Sequence, residues 1–337
     1  MAKNISITCI IPDLTDGTSF YRGIGPLSHI KRYSDLNVSL FFPDQVNDAL
    51  LLSSDIVFMQ RPFSPQHLQV AEMAQLQSKP LWLDYDDDLF NVDVGNPTYH
   101  LYGKSAVKNN IKTLIEMADV ITVSTEHLAT KIRAMNDKVI VINNGLDLSL
   151  FKYRKPNLDR MDKNDLVMWR GSPTHTKDVL SVANQILQVH DERPDTIFEF
   201  IGDRMWLLTE QMKANQFIHT EWTTIMKYKH HIYSRTPKAF IVPLMFSDFN
   251  RSKSNIGWLE ASFAGSLTIA PMIPEFEQPG VFTYKTQEGF KDALDQVLYL
   301  NETDHLYHLE NTWKHILEHY TLDTLNEKRI NLIKGLL

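Results

Sequence analysis

Short apolar runs alternate with longer segments of helical period through most of the chain. Runs of this kind bounded by turn residues read as buried strands, and their alternation with amphipathic segments reads as a parallel α/β sheet. In the first half the pattern predicts strands over residues 5–11, 38–42, 55–60, 80–85, 120–124 and 139–142. Helices are expected near 25–33, 65–77, 105–118 and 126–135. The second half restarts the pattern, with strands over 166–169, 197–201, 239–243, 267–270 and 281–284. Its helices are expected near 177–190, 254–264, 287–300 and 305–319. Between the halves, residues 151–164 are charged, contain Pro156 and lack a strong period, which predicts a linker. Two open α/β sheets carry their sites at the carboxyl ends of their strands, so facing sheets put the site in the cleft between them.

Composition agrees with two domains. A chain of 337 residues is too long for one average core. Hydrophobic content of 43% and charged content of 22% are ordinary for a soluble globular protein. The single cysteine, Cys9, excludes an intrachain disulfide, fits a reducing compartment and sits in an apolar run, as a core residue would. The first residues lack the apolar region of a signal peptide, and no apolar stretch approaches the roughly 20 residues that span a bilayer. A cytoplasmic protein is expected. The net charge of −7 argues against a broad nucleic-acid footprint, although a local basic groove fits beneath it.

The densest chemistry lies in residues 249–271. They read as a polar loop, a helix, a stop at Gly265 and a short apolar strand. Unpaired N–H groups and the dipole make a helix N-terminus attractive to anions. This one carries Asn250, Arg251, Lys253, Ser254 and Asn255, and Glu260 is the one carboxylate in the helix that follows. Such a layout suits a diphosphate at one end and a ribose hydroxyl further down. A second anion-binding candidate is Trp169-Arg170-Gly171-Ser172-Pro173-Thr174-His175-Thr176-Lys177, a strand running into a Gly-Ser loop and a helix start. His175 there reads as a sugar or phosphate contact or as a plain polar loop residue. Gly202-Asp203-Arg204 ends another strand facing the same presumed cleft.

In the first half, Asp16-Gly17-Thr18-Ser19-Phe20-Tyr21-Arg22-Gly23 follows the first strand. It is not a G-x-G-x-x-G fingerprint, but Tyr21 offers a stacking face and Arg22 an anion contact. Four carboxylates, Asp84, Asp86, Asp87 and Asp88, crowd into five residues. They read as a metal site, as an acceptor-side site in which one Asp orients or deprotonates a hydroxyl, or as a solvated turn. Residues 227–231, Lys-Tyr-Lys-His-His, read as a solvated helix face or as part of a nucleic-acid surface.

Taken in order, several of these segments resemble GT-B glycosyltransferases of the glycosyltransferase family 4-like kind. The matching residues are Ala118-Asp119-Val120-Ile121-Thr122-Val123-Ser124-Thr125, Ile142-Asn143-Asn144-Gly145-Leu146-Asp147 with Phe151, and Arg170-Gly171-Ser172 with His175 and Asp178. Ile201-Gly202-Asp203 and the block 253–271 complete the series. The Tyr21-Arg22 loop and the Asp-rich turn are similar to a subgroup often encoded by phages, which would place the protein in a host cytoplasm.

The resemblance implies two Rossmann-like domains, residues 1–152 on the acceptor side and 153–320 holding the nucleotide sugar, with a last helix over 321–337 packing back on the first domain. It implies transfer of a sugar from a nucleoside-diphosphate sugar, a UDP-sugar foremost, to an acceptor hydroxyl with retention, and no required metal. Glu260 matches the second Glu of the family's E-x7-E motif and implies a bond to the donor ribose. Arg170 and Lys253 would neutralise the leaving diphosphate, the largest expected catalytic effect. Gly171, Ser172, His175, Lys177, Gly202, Asp203, Arg204, Asn250, Arg251, Ser254 and Asn255 complete the donor side. Asp86 joins Arg170 and Lys253 as a catalytic candidate. Asp16, Gly17, Tyr21, Arg22, Asp84 and Asp87 line the acceptor side. The acceptor is a glycan or a hydroxymethylated DNA base. A duplex would need a basic groove, for which Lys104, Lys108, Lys112 and residues 227–231 are the candidates. One position departs from the motif. Ser252 stands where the family's first, sugar-contacting Glu is expected. That departure supports an alternative, a non-catalytic nucleotide- or sugar-binding protein on the same fold. An NAD-linked enzyme is a third reading, without the glycine fingerprint to support it.

Overall fold

The structure is a computed structural model that describes residues 4–151 and 165–337. The expected linker, Phe151 apart, and the boundary at 152/153 lie outside the described residues. The first half forms β1 (Ile5–Ile10), β2 (Leu36–Phe41), β3 (Ile56–Gln60), β4 (Leu81–Tyr85), β5 (Val120–Val123) and β6 (Val139–Val141). They make a six-stranded sheet ordered β2-β1-β3-β4-β5-β6. The second half forms β7 (Leu166–Gly171), β8 (Ile197–Gly202), β9 (Phe217–Thr220), β10 (Ala239–Ile241), β11 (Leu267–Pro271) and β12 (Val281–Tyr284). Its six strands are ordered β12-β11-β10-β7-β8-β9. Every pairing in both sheets is parallel.

Parallel sheets are covered on both faces, so their strands are apolar without alternation. β3 and β4 show this, being buried at every residue. Helices supply the cover. Pro65–Leu76 starts behind a Ser64 cap with Pro at its first turn, and Ser105–Met117 and Gln287–Tyr299 turn one apolar stripe to their sheets. Cys9 lies in the core of the first sheet, where burial and the charge of Asp84 push its thiol pKa up.

Two expectations needed correction. β9 was not foreseen, because it is a four-residue edge strand, half-buried throughout and carrying His219 and Thr220. The helix expected over 177–190 is two, Thr176–Leu180 and Ala183–Glu192. At the break the Ser181 hydroxyl donates to the Asp178 carbonyl, a local bond that competes with the helix ladder.

Strand order reverses between β1 and β3 in the first sheet and between β7 and β10 in the second. These are the switch points where open α/β sheets leave a crevice at the strands' carboxyl ends. The last helix, Leu322–Leu336, buries Leu332 and Ile333 beside Ile7, Cys9 and Phe58 of the first sheet. The chain thus passes between the halves at two adjacent places, stitched where Leu146 bonds the backbone of Tyr320 and Leu322. No helix among the described residues is long and apolar enough to cross a membrane.

Candidate functional site

The two carboxyl edges enclose a cleft of about 400 Å³. Asp16, Gly17, Tyr21, Arg22, Arg61, Asp86 and Asp87 line it from the first sheet. Arg170, Ser172, His175, Lys253 and Ser254 line it from the second.

The first wall begins where β1 ends. Asp16 caps a single helical turn through the Ser19 amide at 2.6 Å. The chain then widens into a π turn, Phe20–Ile24, a local irregularity that often re-aims side chains at functional sites. It turns both Tyr21 and Arg22 inward. Arg22 is 2% exposed and forms a forked pair with Asp84, Nε to Oδ1 at 3.0 Å and Nη2 to Oδ2 at 2.7 Å. Its Nη1 donates to the Ile142 carbonyl at 2.7 Å and to Asn144 Oδ1 at 3.0 Å. Burial works against this guanidinium, but Asp84 outweighs it and the pKa is raised. Asp84 also accepts from the Thr122 hydroxyl at 2.7 Å. The anion and acceptor contacts expected of Arg22 and Asp84 are therefore spent on each other, with Arg22 at the edge of the cleft and Asp84 behind it.

The remaining carboxylates of the turn each find a cation. Asp86 Oδ1 takes both Nε and Nη2 of Arg61, at 2.9 and 2.6 Å. Asp87 bonds Arg61 Nη2 at 2.9 Å and, across the cleft, Lys253 Nζ at 2.8 Å. Asp88 pairs with Lys131. The turn is thus neither a bare acidic cluster nor a solvated loop. Among the described residues no group of three or more His, Cys, Asp and Glu is placed to hold a metal. The two central carboxylates differ. Burial and the neighbouring Asp87 raise the Asp86 pKa against Arg61, whereas Lys253 and Arg61 overcome burial at Asp87 and bring it down to about 2.

On the second wall, Gly171 leaves room for the Trp169 ring, 2.5 Å from where a Cβ would stand. Gly202, at φ +96°, brings its backbone against the Gly171 carbonyl and Trp222. Helix Ile256–Ala264 is buried almost all round and ends at Gly265 in the left-handed conformation. Gly257 lets its first turn approach Val242 at the end of β10. Glu260 is 1% exposed in this helix. A buried carboxylate needs donors, and Glu260 has three. Arg170 Nε reaches Oε2 at 2.6 Å, Tyr228 OH reaches Oε2 at 3.0 Å, and Tyr21 OH crosses from the first domain to Oε1 at 3.1 Å. Burial first, then the Glu260 charge, holds both phenols well above their usual pKa, so they remain donors. Beside Glu260 lies a recess of about 30 Å³ bounded by Gly17, Arg170, Ile201, Trp222 and Tyr228.

Several expected donor residues lie outside the cleft lining. Lys177 reaches over Gly95, where a Cβ would stand 1.6 Å from its Nζ. Asp203 accepts from the Thr176 hydroxyl at 2.6 Å, and Arg204 stacks on Trp206 at 3.9 Å. Asn250 is buried with its amide on Asp178 at 2.7 Å, Arg251 faces solvent, and Asn255 is wholly buried. Ser252 is buried too, and its carbonyl accepts from Thr125 at 3.1 Å. Among the lining residues that had no part in the expected site are Arg61, Asn96, Tyr102 and Trp222. Arg61 holds a left-handed backbone (φ 49°), uncommon for a non-glycine residue and frequent at sites. Trp222 is 55% exposed at the end of β9, and a large exposed aromatic on a cleft rim was the signal available. The basic candidates are mostly engaged. Lys108 donates to the Phe90 carbonyl at 2.6 Å, Lys112 faces Glu116, and Lys229 donates to the Leu150 carbonyl at 2.7 Å.

No protein-family model matches the chain, and no curated protein matches it in sequence. Solved structures do. Anabaena Alr3699/HepE in complex with UDP and glucose superposes with a TM-score of 0.70 at 12% identity, over 98% of this chain and 100% of that one. Sucrose-phosphate synthase (tll1590) from Thermosynechococcus elongatus gives 0.74 at 14% identity, over 98% and 99%. An alpha-glucosyltransferase in complex with UDP-glucose and DNA containing an abasic site gives 0.68 at 10%, over 98% and 99%. With both sheets matched over nearly their whole length, the chain has the GT-B fold of these glycosyltransferases.

Proposed function

We propose that the protein transfers a sugar from a nucleoside-diphosphate sugar, UDP-linked foremost, to an acceptor hydroxyl. The observation that carries this reading is the second wall, where Arg170 and Lys253 present cations beside a recess that ends in Glu260, Tyr228 and Trp222. Charge-assisted bonds from Arg170 and Lys253 to the diphosphate would strengthen as it departs. Ser172 and Ser254 add donors. Glu260 would accept a ribose hydroxyl and Trp222 would stack on the base. The recess beside Glu260 holds about one water, so a ribose there requires Tyr21 to withdraw. Tyr21 belongs to the opposite wall, and a small opening of the cleft moves it.

On the acceptor side Asp86 has one oxygen, Oδ2, outside the Arg61 fork, and its raised pKa suits a group that takes a hydroxyl proton. The carboxylates of Asp86 and Asp87 and the internal bonds of Lys108 and Lys229 favour a neutral glycan hydroxyl over duplex phosphate. A hydroxymethylated DNA base is the second acceptor to test, since two of the similar structures were solved with DNA, one of them containing an HMU base.

Thermal unfolding with UDP, GDP, ADP, TDP and CMP, each with its sugar, tests the donor. A ligand at a hundredfold excess over its dissociation constant stabilises by about 2.7 kcal/mol. A diphosphate nucleotide should raise the midpoint, and Arg170→Ala or Lys253→Ala should abolish the rise. No response to any diphosphate would end the reading. Binding without donor hydrolysis or transfer to glycan or hydroxymethylated DNA would leave a nucleotide-sugar-binding protein.

A further inference from the structure

The nucleotide-sugar reading leaves one buried carboxylate of the second wall without a role. Asp178 is 5% exposed, and its two oxygens tie its own loop to the segment 245–250. Oδ1 accepts from the Met245 amide at 2.9 Å and from Asn250 Nδ2 at 2.7 Å. Oδ2 lies 2.9 Å from His175 Nδ1. An ionised carboxylate only accepts, so Nδ1 carries the hydrogen and Nε2 is left for a ligand. The His175 ring is 26% exposed and lines the cleft with Arg170 and Lys253.

Resting on that reading, we propose that Asp178 positions His175 to donate Nε2–H to the donor diphosphate as an imidazolium, so that donor binding takes up a proton. The charges around the ring support this balance. Asp178 faces Nδ1 from the ring's own loop, and Asp87 acts on the ring across the cleft. Asp87 is itself held by Lys253 and Arg61. Lys177 is turned away over Gly95, and Asp203 is engaged by Thr176. An arriving diphosphate adds negative charge on the side of Nε2, and a nearby anion favours the charged imidazole. Asp178 is then a positioning residue and His175 a diphosphate ligand. One proton from solvent forms the Nε2–H bond, and no other covalent bond changes.

Isothermal titration with UDP-glucose tests this, since its diphosphate diester does not titrate near neutrality. The wild type, measured in buffers of different ionisation enthalpy from about pH 6 to 9, should take up a fraction of one proton that rises and then falls again, and should lose affinity as pH rises. His175→Gln should bind about tenfold more weakly at the acid end, with no proton uptake. His175→Lys, a permanent cation, should recover the affinity and stay pH-independent. Asp178→Asn, checked for a native circular dichroism spectrum, should shift the pH midpoint downward. Proton uptake that persists in His175→Gln, or a wild type that binds without it, overturns the proposal and leaves the donor reading intact. A wild type that binds no UDP-glucose overturns both.

Discussion

Replacing Asp84 by Asn keeps the side chain's shape and removes its charge. Asp84 lies at the centre of a buried polar chain. Trp82 Nε1 donates to the Thr122 hydroxyl at 2.9 Å, Thr122 donates to Asp84, and Asp84 holds the Arg22 fork. Arg22 continues the chain to Asn144, whose amide donates to Ser254 Oγ at 2.9 Å, next to Lys253 in the other domain. A second buried cation, Arg329 of the last helix, lies close enough that burial and then Arg22 bring its pKa down to about 9, against the pull of Asp84. Removing the one carboxylate leaves Arg329 in the interior without a counter-charge and Arg22 without its paired one. Breaking a buried pair on one side costs about 3–5 kcal/mol. For a domain of this size, that is a fall in melting temperature of roughly 6–20 °C.

Urea unfolding of Asp84→Asn followed by circular dichroism measures the loss, and UDP titration measures the site. Stability should fall by several kcal/mol while UDP affinity falls less than about tenfold. Adding Arg329→Met to Asp84→Asn should recover part of the loss, because it removes one of the two stranded charges. In the wild-type background the same change should cost little. The converse result would refute this reasoning. If Asp84→Asn melts like the wild type and loses only transfer, Asp84 is an acceptor contact and not a framework group.

Three further outcomes follow from other contacts. Asp87→Asn frees Lys253 from its cross-cleft partner, so UDP should bind tighter by about 1 kcal/mol, about fivefold, in a calorimetric titration; weaker binding contradicts the competition. Trp222→Ala should weaken UDP by about 1–3 kcal/mol while inorganic pyrophosphate binds unchanged, since only the base stacks; equal losses for both ligands would place Trp222 elsewhere. Burial lowers the pKa of His67 and of His305 to about 4, so each stays neutral in the fold while the unfolded chain protonates near 6.5. Their contribution is complete above pH 6.5 and lost as pH falls towards 4. Urea unfolding should show about 2 kcal/mol lost per histidine between pH 7 and 5, and His67→Gln should remove one share of that slope.

The frame of this fold is legible because buried parallel strands leave continuous apolar runs. Gly265 marks the end of helix Ile256–Ala264, and Arg170, Lys253 and Ser172 announce an anion site by type. The pairings are not legible. Tyr21 and Glu260 are 239 residues apart, and Arg170 and Glu260 are 90 apart. No local pattern states that one carboxylate will gather donors from three elements. The Asp-rich turn allowed three readings because its partners, Arg22, Arg61, Lys131 and Lys253, come from elsewhere in the chain. Arg61 gave no sign at all, since what marks it is a backbone angle. Residues near the helix start were over-assigned for the opposite reason. Type and position put Asn250, Arg251 and Asn255 at an anion site, but the 3-10 turn Asn250–Ser252 and the helix start at Ile256 rotate them into the core or out to solvent.

On the proposed reading, the contacts that hold the cleft together are those a nucleotide sugar would use. Asp87 occupies Lys253 where a diphosphate would, Tyr21 occupies Glu260 where a ribose hydroxyl would, and Asn144 occupies Ser254. A ligand here replaces polar contacts rather than creating them on bare surface. Net affinity is then a difference between two well-bonded states, and it falls short of what the ligand's own contacts would sum to. Lys253 takes its counter-charge, Asp87, from the opposite domain, whereas Glu260 keeps Arg170 and Tyr228 of its own domain and adds Tyr21 from the other. Opening the cleft would strip Glu260 of one bond and Lys253 of its counter-charge, so on the proposed reading donor exchange would be coupled to domain movement through these pairs.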